Sequence, residues 1–329
     1  MTDQAQNPSR EPSPRDGGHH ACPDSPDSAT HLGSRPTDQA ARLSLVAPNG
    51  SRTGPRTGTR TGPRTGTRTG PRTAPRTAPP ALVAVAHGSR DPRALRTTQE
   101  LLSLVRELRP GLDVRLGHIE LNAPLLPDTL AGLGRGDAVL VPLLLGRGHH
   151  VKHDLPLAAA GAPLLRTRIA APLGPHPLLV EALYGRLVEA GWPADGPAPG
   201  GAAVVLAAAG SRDPESAVDT RRTARMLSER LRGVPVVPAY ASAATPTVPV
   251  AVRALAARGH HRVAVASYFA APGRFATAAA DAAPGIAAAP LGAHPAMARL
   301  LLHRYDSALA AAPPVPDTLA TGAALAALA

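Results

Sequence analysis

From Ala81 onward, short apolar runs alternate with amphipathic stretches of helical length. The runs ALVAVA (81–86), DVRLGHI (113–119), AVLVPLLL (138–145) and TRIAA (167–171) read as buried strands. Between them, PRALRTTQELLSLVREL (92–108), APLLPDTLAGL (123–133) and VKHDLPLAAA (151–160) have helix length, and the first spaces its apolar residues by three and four. Strands alternating with helices predict an α/β fold in which a parallel sheet is covered on both faces.

The second half of the chain repeats the first. AHGSRDP (86–92) matches AAGSRDP (208–214), and APLGPHP (171–177) matches APLGAHP (289–295). Pro124 in ELNAP pairs with Pro246 in SAATP at the offset of the first pair. Two homologous α/β domains are expected, at 80–191 and 202–311, joined near the Pro- and Gly-rich GWPADGPAPGG (191–201) and followed by a tail at 312–329.

Residues 1–79 differ in kind. They hold almost no Val, Ile, Leu or aromatic residue, and residues 52–79 form a short repeat of Arg, Thr, Gly and Pro with too little apolar surface to offset ordering entropy. A disordered arm is expected there, either a solvated linker or an arm for RNA or a membrane surface. The net charge of +11 divides into +5 over residues 1–80 and +6 over the remainder, so the folded part is only mildly basic. Four Tyr, two Phe and one Trp give no platform for stacking bases, and nucleic acid is not an expected partner. The single cysteine, Cys22, excludes an intrachain disulfide and Cys-ligated clusters, so a metal must use His or carboxylate. No apolar stretch reaches the length of a membrane span and no leader pattern opens the chain, so a soluble cytoplasmic protein is expected.

In open parallel sheets, ligands bind at the carboxyl ends of the strands. In the first domain those ends carry His87, Glu120, and His149 with His150, so three strands deliver imidazole and carboxylate to one edge. Such donors suit divalent iron, cobalt, nickel or zinc, and an incomplete ligand set leaves positions open for exchange. The repeat acts as a control. His87 is matched by Ala209, Glu120 by Ser242, and, with Gly148 aligned to Gly273, His149 by Arg274 and His150 by Phe275. The second copy keeps the Gly, Ser, Arg, Asp and Pro of the turn and loses every candidate ligand, which predicts one site, in the first domain.

AHGSRDP followed by GHHVKHDLP (148–156) resembles the sirohydrochlorin chelatase family, small ATP-independent class II chelatases related to the cobalt chelatases of cobalamin synthesis. The resemblance spans about residues 81–310, the second half as a worn copy. It implies that the metal-site histidines are His87 and His150, that the acidic residue is Glu120, and that Asp154, one turn beyond His150, supports it. It also implies a lyase inserting Fe(II), for sirohaem, or Co(II), toward cobalamin, into sirohydrochlorin, with the metal as substrate and neither ATP nor an organic cofactor. No phosphate-binding G-x-x-x-x-G-K-[ST] motif occurs. One of the histidines or Glu120 would take the pyrrole protons. Ser89, Arg90, Arg93, Arg147 and Lys152 lie at the same strand ends, where they stand either as partners for substrate carboxylates or as solvated surface groups.

The other histidines have plainer readings. His149 and His153 are four apart and share a helical face as a possible metal pair or as surface residues; His118 reads as a buried, hydrogen-bonded side chain; His176 and His294, retained in both copies, read as structural. His260 and His261 fall in the loop before a strand. Tyr240, Tyr268, Phe269 and Phe275 form either an apolar wall facing a macrocycle or part of the second core. Three other functions compete: a phosphohistidine enzyme, disfavoured because Ala86 stands where an Arg is needed; a metal-delivery protein without a macrocycle; and a haem-pathway ferrochelatase. A monomer of two fused domains is the expected assembly.

Overall fold

The computed structural model describes residues 79–194 and 200–311. The expected arm and tail, and the middle of the expected linker, lie outside these residues. The first half contains β1 (Ala81–Ala86), α1 (Pro92–Leu108), β2 (Val114–His118), α2 (Leu126–Leu133), β3 (Gly136–Pro142), a π-helical turn (His150–Asp154), α3 (Leu155–Ala160), β4 (Leu165–Ile169) and α4 (Pro177–Glu189). The second contains β5 (Ala202–Ala208), α5 (Pro214–Arg230), β6 (Val236–Tyr240), α6 (Val248–Ala256), β7 (Arg262–Tyr268), α7 (Arg274–Asp281) and α8 (Pro295–Ala310).

All strand pairs are parallel, in the orders β2-β1-β3-β4 and β6-β5-β7. Leu82 pairs with Val114 on one side and Val139 on the other, so β1 is central and buried throughout most of its length. The chain leaves β1 for one neighbour and later returns to its other side, which places a topological switch at the carboxyl ends of β1 and β3. In the second half the counterpart of β4 shrinks to an isolated bridge between Val265 and Ala287.

The retained GSRDP sequence is a turn followed by a helix cap. Gly88 has φ of 105°, and a Cβ there would stand 1.9 Å from the Glu120 carbonyl oxygen; Gly210, at φ 90°, would meet the Ser242 carbonyl at 1.8 Å. Only glycine lets this turn cross the end of the neighbouring strand so closely. Ser89 Oγ accepts from the Asp91 amide, and Asp91 caps α1 by accepting from the Arg93 amide. Ser211 and Asp213 repeat both bonds at the start of α5. Proline at the first helical position completes each cap.

The two sheets share a core. Leu82, Ala84, Val139 and Val141 turn to one face and join a cluster that includes Val204, Leu206, Leu301 and Tyr305 of the second half. Val83, Val85 and Leu140 turn to the other face, beneath Leu126 and Leu130 of α2 and Leu155 of α3. The last helix of each half crosses over: α8 packs on α1 and β3, and α4 packs on α5 and β7.

These crossing helices explain the retained histidines. His176 Nδ1 accepts from the Leu178 amide and His294 Nδ1 from the Ala296 amide, each capping its helix. A Cβ on Gly185 of α4 would lie 2.5 Å from His294 Nε2, so α4 and that cap are closely apposed. Burial, then the nearby Arg304 guanidinium and His303, lower the His176 pKa to about 4; burial and Arg186 lower that of His294. Only a neutral imidazole accepts at the cap. The unfolded chain takes up the proton near pH 6.5 and the native state only near pH 4, so this contribution is complete above pH 6.5 and is lost as pH falls toward 4. His176→Asn keeps an acceptor without the titration, so its melting temperature should fall less between pH 7 and pH 4 than that of the wild type, as followed by circular dichroism.

Candidate active site

Three strand ends at the switch supply the site. His87 follows β1, Glu120 follows β2, and His150 opens the π-helical turn after β3. The Glu120 amide donates to the His87 carbonyl at 3.0 Å, fixing the two ends together, and His87 Nδ1 lies 3.5 Å from Glu120 Oε1. The His87 and His150 rings meet edge to face, with centroids 4.7 Å apart. His150 Nδ1 bonds Asp154 Oδ2 at 2.5 Å, which orients the ring and leaves Nε2 as its free nitrogen. Such neighbouring imidazoles suit one ion with metal–nitrogen bonds of about 2.0–2.1 Å. Among the described residues no group of three or more His, Cys, Asp or Glu side chains is placed to hold a metal ion, so any ion here would rest on the two imidazoles with Glu120 nearby.

The site faces a cleft of about 1760 Å³ between the halves. Gly148 lies near Ser211 of the second half and Gly273 near Ser89 of the first, so each half's loop faces the other's turn. Phe269 and Phe275 line the cleft, and Arg274 stacks on Phe275 at 4.9 Å. Tyr240 and Tyr268 pack in the core, each no more than 6% exposed, and the Tyr268 hydroxyl donates to the Leu145 carbonyl, although Tyr268 also borders the cleft. Of the two readings of the aromatics, core packing holds for the tyrosines, while Phe275 lines the cleft and Phe269 does both. His118 is 2% exposed with Nδ1 3.2 Å from the Pro124 carbonyl, as its reading as a buried, bonded side chain requires.

The expected rim cations divide. Arg90 lines the cleft and has no ion-pair or hydrogen-bond partner among the described residues. Arg93 folds back onto Asp91. Arg147 binds the second half: its Nε and amide both reach Asp219 Oδ2, at 3.0 and 3.1 Å, and its terminal nitrogens reach Asp219 Oδ1 and Glu215 Oε1, both at 2.7 Å. Lys152 Nζ lies 2.6 Å from both Asp213 Oδ2 and Glu215 Oε2. Arg147 and Lys152 thus differ from the expected open cations: acids on the first turns of α5 already compensate them. Ser89 Oγ is committed to its turn, as is Ser211 in the copy.

Glu215 and Asp219 were not among the expected site residues. Their signal lay in the repeat, where Arg93 and Thr97 occupy the equivalent positions of α1. The acids therefore grip only the loop that carries His150. Burial opposes ionisation of Asp219, but its hydrogen bonds from Arg147 prevail and hold the carboxyl below the usual range. Asp219→Asn weakens both the charge pairing and the acceptor set, so backbone amides of residues 147–152 should exchange faster with deuterium than in the wild type, while those of β1 and β5 keep their protection.

A family model described as CbiX matches residues 81–190 and again 203–308. The sirohydrochlorin ferrochelatase of Bacillus subtilis (strain 168) is 29% identical over 176 residues, covering 50% of this chain and 64% of that protein. The sirohydrochlorin cobaltochelatase of Priestia megaterium is 27% identical over 197 residues, 57% of this chain and 63% of the relative. The chain thus spans less than two thirds of the length of either curated relative. The structure of SirB from Bacillus subtilis with Fe3+ has the same fold, with a TM-score of 0.56 at 23% identity, covering 69% of this chain and 94% of that one.

Proposed function

The chain belongs to the CbiX family, and on that premise we propose that it inserts Fe(II) or Co(II) into sirohydrochlorin without ATP. The observation that carries this reading is the His87–His150 pair at the β1/β3 switch, beside Glu120 and open to a cleft of macrocycle size. In this reading residues 80–191 hold the chemistry and residues 202–311 support it.

The divalent ion is a substrate. Neutral Nε2 atoms of His87 and His150 replace some of its water, and the open ligand set lets the remaining positions pass to pyrrole nitrogens. Four ring-nitrogen–metal bonds form, two of them as pyrrole N–H bonds break, while the imidazole and remaining water ligands leave, and the protons depart through Glu120 or a released imidazole. Asp154 positions His150. Arg90 pairs with a substrate carboxylate directly, whereas Arg147 and Lys152 reach one only by exchanging their bonds to Glu215, Asp213 and Asp219. The substrate enters against Phe269 and Phe275. Competition between Fe(II) and Co(II) is decided by supply, because an imidazole and carboxylate site separates them only weakly.

The test is anaerobic absorbance of sirohydrochlorin with Fe(II) or Co(II). Wild-type protein should accelerate the spectral change over the metal-only blank, folded His87→Ala and His150→Ala variants should not, and Asp154→Asn should weaken Co(II) binding roughly 10–100-fold. No acceleration despite bound metal would leave a metal-delivery protein.

A further inference from the structure

Two histidines of the catalytic loop have no part in the proposed reaction. His149 caps the π-helical turn and His153 is its fourth residue, and both are more exposed than His150. Both are exposed, the His149 side chain by 72%, and their ring centroids lie 4.6 Å apart with planes inclined by 31°. From there the imidazoles run inward: His149 to His150 is 6.2 Å and His150 to His87 is 4.7 Å between centroids. Asp154 sits between the outer and inner pairs, with Oδ1 4.0 Å from His149 Nε2 and Oδ2 on His150 Nδ1.

The electrostatics favour a cation on this file. Arg147 and Lys152 would repel a divalent ion, but Asp213, Glu215 and Asp219 of the second half compensate them. The equivalent loop of the second half has Arg274 and Ala278 in place of His149 and His153, and no counterpart of the inner pair.

We propose that His149 and His153 form an outer capture site that takes a hydrated divalent transition-metal ion from solvent and passes it to the His150–His87 pair. Imidazoles replace two waters on an exposed ion, a smaller step than stripping it within the cleft. Spacings of 4.6–6.2 Å then allow a new ligand to bind before an old one leaves. Imidazole donors select iron, cobalt, nickel, copper and zinc over magnesium and calcium. Only the destination of the ion rests on the proposed function; the capture site stands on its own residues.

The experiment is anaerobic equilibrium dialysis of the full chain against Co(II), with Mg(II) present in excess. It compares wild type, His149→Ala/His153→Ala, His87→Ala/His150→Ala and the quadruple variant, all checked for native circular dichroism. Above the baseline of the quadruple variant, the wild type should bind two ions and each double variant one. In the insertion assay, His149→Ala/His153→Ala should raise the half-saturating metal concentration several-fold and retain kcat. Baseline binding by His87→Ala/His150→Ala, or undiminished binding by His149→Ala/His153→Ala, would overturn the capture site. Loss of one ion with an unchanged half-saturating concentration would overturn the transfer. If sirohydrochlorin is not the substrate, the dialysis counts still decide whether the site exists.

Discussion

Each sheet has a face that its own half covers only in part, and the crossing of α4 and α8 completes it. Because α8 lies on β3 and α4 on β7, the halves share one core in place of docking as finished domains. Tyr305 of α8, 2% exposed, donates its hydroxyl to the Pro80 carbonyl at 2.6 Å just before β1. This packing sets the halves opposite one another, with each glycine turn facing the other half's loop. The cleft is a consequence of it. The second half, which lacks the counterparts of His87, Glu120 and His150, completes the first half's core.

The same opposition accounts for the asymmetry of the site. The GSRDP turn is needed by both halves, since Gly88 and Gly210 cross a neighbouring strand at a distance no side chain permits. The residues beyond that turn are free to diverge. In the first half they are His87, Glu120 and His150; in the second, the equivalent helix has acquired Glu215 and Asp219, which hold the opposing loop. The duplicated fold has thus separated into a half that presents imidazole and a half that braces it.

Much of this was legible in the chain. ALVAVA and PRALRTTQELLSLVREL carry their own boundaries, the one as an unbroken apolar run and the other between an Asp-Pro cap and Arg109, and both fall where the pattern places them. AVLVPLLL was less informative. Its strand starts at Gly136 and ends at Pro142, and the following leucines remain apolar because they meet the shared core and the cleft. The π-helical turn left no periodic signature in a segment of five residues. Convergence of His87, Glu120 and His150 followed from their places just after expected strands, from the comparison of the repeats and from the family resemblance, which selected His150 over His149. The fate of Arg147 and Lys152 did not, because their partners lie more than sixty residues away and only the packing of the halves unites them. Tyr240 and Tyr268 went to the core for the same reason.

If the duplicated fold holds one working metal site, at the switch of the first half, anomalous diffraction from crystals soaked anaerobically in Co(II) should show a cobalt peak bound by His87 and His150 and none beside Arg274 and Phe275 at the equivalent place in the second half. A peak at that equivalent place, or none between His87 and His150 under conditions where the protein binds cobalt in solution, would contradict that reading.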